Sequence, residues 1–466
     1  MAMHQISIID HIGSHETYRD KLITLLTHDL DFHGQDSKYA SHNFHSFPSK
    51  FPPQLPHKFI VELTNPGDTV LDPMMGSGTT ILEAFLSGRY GIGFDIDPLA
   101  LMISKLKVTP LDVKQIDKTG SMILEKASST VKEKPTELVE ALKERYDYKT
   151  QQFIEYWFAP ETQIELFALM TEIENIPDRE IRFFFELAFS AMIITKTGGV
   201  SLAFDLAHTR PHKAKVVFDK TGKIIFGNDS ATNSSRRIKL LTKTLRSPLE
   251  EFEKKFRQNL KGVPKPGVNK VQPYIKFANA QSLPLDDSSV DLIVTSPPYA
   301  SNAIDYMRAH KFSLVWMGYS IDDLSQKRKK YIGGEVITGI NFEKLPDNTA
   351  KLVGEFTKQD KKKGQVLHRY YSEMTQTLRE MFRVLKPGRA AIVVVGNSVM
   401  RGRDTQISSC LADIGRTIGF EIPKIGTRLI DRNRRMLPAG VKIDLDSQIQ
   451  QRMHEEHVIG FYKPNS

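Results

Sequence analysis

Two segments of the sequence combine residue types that could do chemistry, and each follows a short apolar run. In the first, VDLIVTSPPYASNAIDY, a hydrophobic stretch runs into Ser296, two prolines and Tyr299. A proline has no N–H and restricts the residue before it to extended geometry, so the backbone of this corner is held rigidly. A corner this rigid and aromatic could hold a ligand in one fixed position.

The second segment, LDPMMGSGTTILEAF, places a glycine-rich turn between a predicted strand and a predicted helix. Such a turn lets the backbone approach a ligand closely and leaves free N–H groups at the helix N-terminus. The lysine of a phosphate-binding loop is missing, and Asp72 would repel an anion, so the turn suits a ligand with a positive end. A single Gly-x-Gly is weak evidence alone, because many such turns carry one.

A further acidic residue follows the glycine turn by about 20 residues. The segment GFDIDPLA ends a predicted strand at Asp95, where a carboxylate of a doubly wound fold can accept both hydroxyls of a ribose. Asp95 or Asp97 could instead cap the following helix. The order strand, glycine turn, helix, strand and acid favours a nucleoside ligand over that alternative.

The elements that must position these residues form two strand-rich blocks around a helical one. Residues 1–110 and 271–466 carry the strand patterns TVLDPM, GIGFDID, YIKFANA, VDLIVTSPP and AAIVVVGNS. The late segments EIPKIGTRLI and EHVIGFYK are expected to pair as an antiparallel hairpin at the sheet edge. Residues 111–270 have long helical patterns followed by a basic segment, which predicts an inserted domain and a candidate target-recognition region.

Composition limits the class of protein. A chain of 466 residues with 40% hydrophobic and 26% charged residues is typical of a globular protein with two domains or one large insertion. It has neither an apolar run of about 18 residues nor a recognisable signal peptide, so we expect a cytoplasmic protein. The single cysteine, Cys410, fits a reducing compartment, and on a helical pattern we interpret it as a packed hydrophobe.

Positive charge is concentrated in one segment. The net charge is +9, and residues 236–270 hold 11 Lys or Arg against 3 Asp or Glu. A block of this kind is what binding to a phosphate backbone requires. A solvated linker explains the charge equally well.

Taken together, the motifs resemble the S-adenosylmethionine-dependent amino-methyltransferases of DNA. DPMMGSGTT resembles their cofactor loop, with Met74 in place of the usual Phe, and TSPPY resembles their catalytic tetrapeptide in the form most often seen in cytosine-N4 enzymes. HSFPSKFPPQLPHKFI is similar to the segment that covers the methionine end of the cofactor. The resemblance covers roughly residues 40–110 and 271–400. It implies a Rossmann-like class I methyltransferase, α/β, with a seven-stranded mixed sheet and a mostly helical insertion.

The resemblance also implies a role for each matching residue. Ser296 and the Pro297 carbonyl would accept the hydrogens of an exocyclic amine, whose lone pair is otherwise delocalised, while Tyr299 stacks on a flipped base. Pro298 completes this catalytic group. Asn279 would contact the adenine, but it could equally be a turn residue. The residues expected to bind S-adenosyl-L-methionine are Phe44, Phe47, Lys50, Asp72, Pro73, Met74, Gly76, Ser77, Gly78, Thr79, Thr80, Asp95, Ile96, Asn279, Ala280 and Thr295.

The segment that reads DNA stays open at this point. Candidates are the insertion with its basic tail, a basic loop at about 305–370 containing QKRKK and KQDKKKG, and the patch RLIDRNRRMLPAG. Metal binding by His208 and His212 is conceivable, but no third ligand is nearby, so no metal is expected. The cations proposed to contact DNA are Arg210, Arg236, Arg237, Lys239, Arg328, Lys329, Arg434 and Arg435.

The predicted function is methyl transfer from S-adenosylmethionine to the N4 amine of cytosine in duplex DNA, by base flipping and direct in-line transfer. Adenine N6 is the nearest alternative. An RNA or protein amine methyltransferase and a catalytically silent DNA-binding module are more distant ones. The expected partners are double-stranded DNA and, as a further candidate, a cognate restriction endonuclease. The oligomeric state and the recognised DNA sequence stay open.

Overall fold

A computed structural model describes residues 16–48, 50–206, 211–227, 242–265, 267, 271–300, 305–396, 399–400, 403–430 and 455–465. The helices are α1 (Tyr18–Thr27), α2 (Gln54–Leu63), α3 (Thr79–Leu86), α4 (Pro98–Lys107), α5 (Val113–Glu133), α6 (Pro135–Arg145), α7 (Tyr148–Trp157), α8 (Pro160–Glu174), α9 (Arg179–Ile193), α10 (Pro248–Leu260), α11 (Tyr306–Leu314), α12 (Ile321–Lys329), α13 (Asp347–Gln359), α14 (Lys361–Val384) and α15 (Ile407–Ile418). None of these described helices is long and apolar enough to cross a bilayer.

The strands are β1 (Thr69–Asp72), β2 (Tyr90–Asp95), β3 (Ala203–Asp205), β4 (His212–Lys213), β5 (Val216–Phe218), β6 (Ile224–Phe226), β7 (Thr242–Thr244), β8 (Tyr274–Phe277), β9 (Val290–Thr295), β10 (Leu385–Gly396), β11 (Val399–Met400), β12 (Arg403–Asp404), β13 (Glu421–Leu429) and β14 (Glu455–Tyr462). Seven of them form one sheet in the order β13-β14-β10-β9-β1-β2-β8. Only β14 runs antiparallel to its neighbours. This order confirms the class I methyltransferase fold and the predicted edge hairpin.

Helices cover both faces of this sheet, because its central strands are apolar on both sides. Along β9, Leu292 and Val294 pack with α1 and α2, whereas Ile293 packs with α14 and α15. The side chains of β10 alternate in the same way. Such strands, buried on both faces, are typical of parallel sheets. Cys410 is buried on α15, as its helical pattern predicts.

The insertion is mostly helical, as expected, but it also holds two small sheets that sequence reasoning missed, β3-β4 and β6-β5-β7. Helices α5 to α10 share one apolar core with α4, α11 and α12. Trp316, which follows α11, is fully buried there, edge-on to Phe158 at a centroid distance of 5.4 Å. The insertion therefore packs directly on α11 and on the residues that follow it.

The prediction of a basic loop at about 305–370 was wrong, because three whole helices and the start of α14 lie there. Ser320 caps α12, whose first turn carries Asp322 and Asp323 and whose last turn carries basic residues, a distribution that suits the helix dipole. Helix α13 buries Leu352 and Phe356. A charged run such as QKRKK is compatible with either a loop or an exposed helix face. The capping residue and the apolar positions are the features that indicate helices here.

Between α12 and α13 the chain is held by the buried Arg369 of α14. Its guanidinium donates to the carbonyls of Lys329, Tyr331, Gly334 and Val336, and its Nε donates to Glu373 Oε1 at 2.9 Å. Arg369 itself is only 2% exposed, so it donates these hydrogen bonds from within the core. The Arg369 side chain thus supplies the hydrogen bonds that these backbone carbonyls would otherwise accept from water.

We expect Arg369→Met to lower the free energy of unfolding by about 3–5 kcal/mol, because it leaves Glu373 and several carbonyls buried without their donor. Urea unfolding measures the change. The matched control is Arg379→Met on the same helix, whose exposed pair with Glu343 should contribute less than about 1 kcal/mol. Equal losses in the two variants would contradict the role given to Arg369.

Candidate active site

The candidate site lies at the carboxyl ends of three adjacent strands, β9, β1 and β2. These strands end at Thr295, Asp72 and Asp95. In open α/β sheets ligands bind beyond the carboxyl ends of the strands. The topology therefore brings the glycine turn, the acid after it and the Ser-Pro-Pro-Tyr corner to one edge.

The glycine turn between β1 and α3 requires glycine at two positions. Gly76 and Gly78 have positive φ values of 49° and 71°. A Cβ on Gly78 would lie 2.5 Å from Ser104 Oγ, which is closer than such atoms can approach. The Gly78 position thus has no room for a side chain, and the loop lies directly on α4.

Two side chains of α4 hold the carbonyls of this loop. Ser104 Oγ donates to Gly76 O at 3.0 Å, and Lys107 Nζ donates to Ser77 O at 2.6 Å. Lys107 is fully buried, and burial holds its pKa well below the ordinary lysine value. Sequence reasoning missed both residues, although their spacing of three places them on one face of the helix.

Asp95 contacts the same loop from β2. Its carboxylate accepts from Gly76 N at 2.8 Å and from Asp97 N at 2.9 Å, which leaves lone pairs on both oxygens for a further donor. Burial and the neighbouring charge of Asp97 raise the pKa of Asp95 to about 6. The helix-capping alternative holds for Asp97, which accepts from Leu99 N and Ala100 N.

Asp72 joins the glycine turn to the catalytic corner. It is 2% exposed, and it accepts from Thr295 Oγ1 at 2.7 Å and from Met74 N at 3.2 Å. Burial raises its pKa to about 7, although these hydrogen bonds favour the ionised form. In this conformation the carboxyl ties β1 to β9 instead of facing solvent.

The proline-rich segment before α2 covers part of the loop. A Cβ on Gly76 would lie 3.1 Å from the ring of Phe47, so this ring rests against the glycine turn. Lys50 Nζ donates to His42 O at 2.8 Å. Phe44, by contrast, is buried in the helical core and lies edge-on to Phe184. Of the two predicted aromatic contacts, the structure brings only Phe47 to the loop.

Glu83 of α3 anchors this covering segment. Its buried carboxylate accepts from Tyr39 Oη at 2.7 Å and contacts His42 Nε2 at 2.7 Å and His57 Nδ1 at 2.9 Å. Tyr39 and His42 of the covering segment and His57 of α2 thus all contact Glu83. This residue lies on the helix that begins at the glycine turn. None of them was singled out from the sequence.

At the catalytic corner Ser296 and Pro298 are partly exposed, whereas Pro297 and Tyr299 are buried. Tyr299 Oη donates to Glu456 Oε1 at 3.0 Å, and Glu456 forms a buried ion pair with Arg428. Burial and the Glu456 charge hold the pKa of Tyr299 well above its ordinary value. Sequence reasoning missed Glu456, because it is 157 positions away.

Comparisons with known proteins agree with this geometry. A family model described as a DNA methylase, N6_N4_Mtase, matches residues 26–106. The chain is 27% identical to the type II methyltransferase M.MvaI of Kocuria varians over 395 residues, 80% of each protein. It is 23% identical to M.BsoBI of Geobacillus stearothermophilus over 463 residues, 88% of this chain and 83% of that one. These matches support an S-adenosylmethionine-dependent DNA amino-methyltransferase family for this chain. Over 60 residues, 13% of this chain and 20% of the other, it is 40% identical to the DNA adenine methyltransferase YhdJ of Escherichia coli.

The residues at the sheet edge of this methyltransferase fit its cofactor. S-adenosylmethionine supplies a methyl group on a positively charged sulfur. The bare backbone at Gly76 allows close approach, and Asp95 keeps acceptor capacity for hydroxyl groups. The aromatic ring of Phe47 beside the loop suits a cation.

The remaining predicted cofactor residues take varied positions in the methyltransferase. Asn279 is exposed, and its Oδ1 accepts from Gln281 N at 3.1 Å, so here it closes a turn. Thr80 Oγ1 donates to Val294 O at 3.1 Å. Met74 and Ile96 are partly exposed, whereas the others line the loop or the strand ends as buried residues, namely Pro73, Ser77, Thr79, Ala280 and Thr295.

Most of the predicted DNA contacts lie outside the described residues, namely Arg210, Arg236, Arg237, Lys239, Arg434 and Arg435. Arg328 is exposed on α12 but pairs with Asp305, and Lys329 Nζ donates to Gln326 at 3.2 Å. In the described part of the basic segment, Arg246, Lys254 and Arg257 pair with acids, and Lys243 Nζ donates to four carbonyls. Much of this charge therefore serves packing.

Histidines of the insertion do not form a metal site in the described ranges. His208 lies outside them, and His212 Nδ1 contacts Asp205 at 3.2 Å. No group of three or more His, Cys, Asp or Glu side chains within those ranges is arranged to hold a metal ion.

The raised pKa of Asp72 makes stability depend on pH. Because the native pKa of about 7 exceeds the ordinary 3.8, the native state binds this proton more tightly than the unfolded state, and stability falls as pH rises from about 4 to 7. Asp72→Asn stays neutral and keeps an acceptor for Thr295. We expect its unfolding free energy, relative to the wild type, to increase by about 1–4 kcal/mol between pH 4 and pH 8.

Urea unfolding of both proteins without cofactor, at pH 4 and at pH 8, measures this difference. The same difference at both pH values would show that Asp72 is already ionised in the native state at pH 4.

Proposed function

We propose that this methyltransferase transfers a methyl group from S-adenosylmethionine to the exocyclic N4 amine of cytosine in duplex DNA. The observation that carries the proposal is the position of Ser296. It is partly exposed directly after Thr295, whose side chain donates to the aspartate of the cofactor loop at 2.7 Å. An amine held at Ser296 would therefore lie beside the residues proposed to hold the cofactor.

In the proposed mechanism, Ser296 Oγ and the Pro297 carbonyl accept the two hydrogens of the amine. These contacts favour a more tetrahedral nitrogen and so free its lone pair for attack. The rest of the rate enhancement would come from positioning the amine in line with the methyl group, so that the N–C bond forms as the bond from the methyl carbon to the cofactor sulfur breaks. The products would be S-adenosylhomocysteine and the methylated amine, which releases one proton to solvent. No covalent enzyme intermediate is required, and Cys410, buried on α15, takes no part.

Base flipping would bring the cytosine to this corner. We propose that Tyr299 stacks on it, with its ring already fixed by the hydrogen bond to Glu456, so that little side-chain freedom is lost on binding. Tyr299 is 5% exposed, so the groups that cover its ring have to move when the base enters.

The domain division and the partners are part of the proposal. Residues 1–110 and 271–466 form the methyltransferase core, and residues 111–270, packed on α11, are the candidate target-recognition region. Relatives named type II methyltransferases support duplex DNA as substrate and a cognate restriction endonuclease as a partner. The match to an adenine methyltransferase over 60 residues keeps adenine N6 as the second candidate base.

Product analysis tests the base. The protein is incubated with unmethylated genomic DNA and cofactor labelled in its methyl group, and the DNA is digested to nucleosides and separated. We expect label in N4-methyldeoxycytidine, because TSPPY is the form most common in cytosine-N4 enzymes. Label found only in N6-methyldeoxyadenosine would replace cytosine by adenine, and label transferred only to RNA or protein would remove DNA as the substrate.

The role of Ser296 has its own test. We expect Ser296→Ala to lose about 10²-fold or more in kcat, since it removes one acceptor of the amine, while cofactor binding is retained. Single-turnover methylation and calorimetric titration with cofactor measure the two effects. Ser289→Ala, at the other end of β9, is the matched control and should keep its rate. Unchanged methylation by Ser296→Ala would refute the proposed role.

A further inference from the structure

Tyr306, the first residue of α11, lies in an aromatic cluster with Phe47 and His310, and Phe47 contacts the glycine turn. Its ring stacks on Phe47 with a centroid distance of 5.0 Å and an interplanar angle of 25°. Phe47 in turn rests against Gly76, at 3.1 Å from a Cβ built there. Phe47 therefore contacts both Tyr306 and the glycine turn.

Tyr306 lies near the acids at the end of β2, because its ring centroid is 5.8 Å from that of His310, whose Nδ1 contacts Asp97 Oδ2 at 2.7 Å. Burial and then the charges of Asp95 and Asp97 raise the pKa of Tyr306, so its hydroxyl stays protonated and can donate. Asp95 is the carboxylate expected at the ribose of the cofactor. A ring that stacks on Phe47, and whose hydroxyl is affected by the charge of this carboxylate, is placed to contact a nucleoside.

A second residue of α11 fixes this placement. His310 follows Tyr306 by four positions and so shares its helix face. It is fully buried, and its Nδ1 contacts Asp97 Oδ2 at 2.7 Å, the oxygen that also accepts from Tyr331 Oη at 2.7 Å. His310 Nε2 has no hydrogen-bond partner among the described residues. The Asp97 contact joins α11 to the end of β2, where Asp95 lies.

We propose that Tyr306 is a cofactor-binding residue that covers the nucleoside part of S-adenosylmethionine, and that the Asp97–His310 pair positions it. In this arrangement Phe47 and Tyr306 close the cofactor site from two segments far apart in the sequence. The first turns of α11 then become part of the cofactor site. The inference concerns the cofactor alone and does not depend on which base is methylated.

The test is calorimetric titration of the full chain with S-adenosylhomocysteine, without DNA. This probe has the same nucleoside as the cofactor but no methyl group. Tyr306→Ala should weaken binding about tenfold or more, because it removes a partly exposed ring that the bound nucleoside would cover. Tyr306→Phe keeps the ring and should lose about two- to tenfold, the contribution of one hydrogen bond. Tyr148→Ala, at a tyrosine that is 73% exposed on α7, is the control and should bind as the wild type.

The positioning role is tested by a double-mutant cycle. His310→Leu should weaken binding of the probe in the wild-type background and have no further effect in the Tyr306→Ala background. A merely structural role for His310 would give the same fold-change in both backgrounds and would overturn the positioning part.

Dissociation constants of Tyr306→Ala and Tyr306→Phe equal to that of the wild type would overturn the assignment of Tyr306. If Tyr306→Ala does not fold, Tyr306→Phe alone decides. These titrations contain no DNA, so their results stand even if product analysis shows that the methylated base is not cytosine.

Discussion

The hydrogen bond from Thr295 to Asp72 is the contact on which the proposed site depends. Its two residues are 223 positions apart and stand at the ends of adjacent parallel strands. On one side of it lies the glycine turn and on the other the Ser-Pro-Pro-Tyr corner. Methyl transfer tolerates little error in the distance between donor and acceptor, and a buried contact between the two strand ends fixes that distance without any loop.

The strands and helices around this contact could be predicted from the sequence, because the patterns that indicate them are local. Strand and helix patterns predicted β1, β2, β8, β9 and β10 and the edge hairpin, since apolar periodicity needs only neighbouring residues. The glycine turn and TSPPY resembled known motifs for the same reason. Contacts between distant segments have no such signal, and so Glu456 behind Tyr299 and the histidines and tyrosine around Glu83 were missed.

Counting charges and aromatic residues was a weaker guide than periodicity. Phe44 and Phe47 are three positions apart in one motif, yet one is buried in the helical core and the other lies on the cofactor loop. The basic runs at 305–370 lie in or between helices, and several cations of the described basic segment pair with the acids of α10. Composition gives the number of charged side chains in a segment. Their ion pairs within the protein decide which of them can still contact DNA.

The bond between Tyr299 and Glu456 also has a consequence for biosynthesis. Glu456 lies on β14, so no nascent chain shorter than this strand can form the contact, even after the glycine turn and the corner have left the ribosome. Domains generally begin to fold during synthesis, N-terminal parts first. A partly made chain can therefore assemble the glycine turn, but Tyr299 gains its buried acceptor only after β14 has been synthesised.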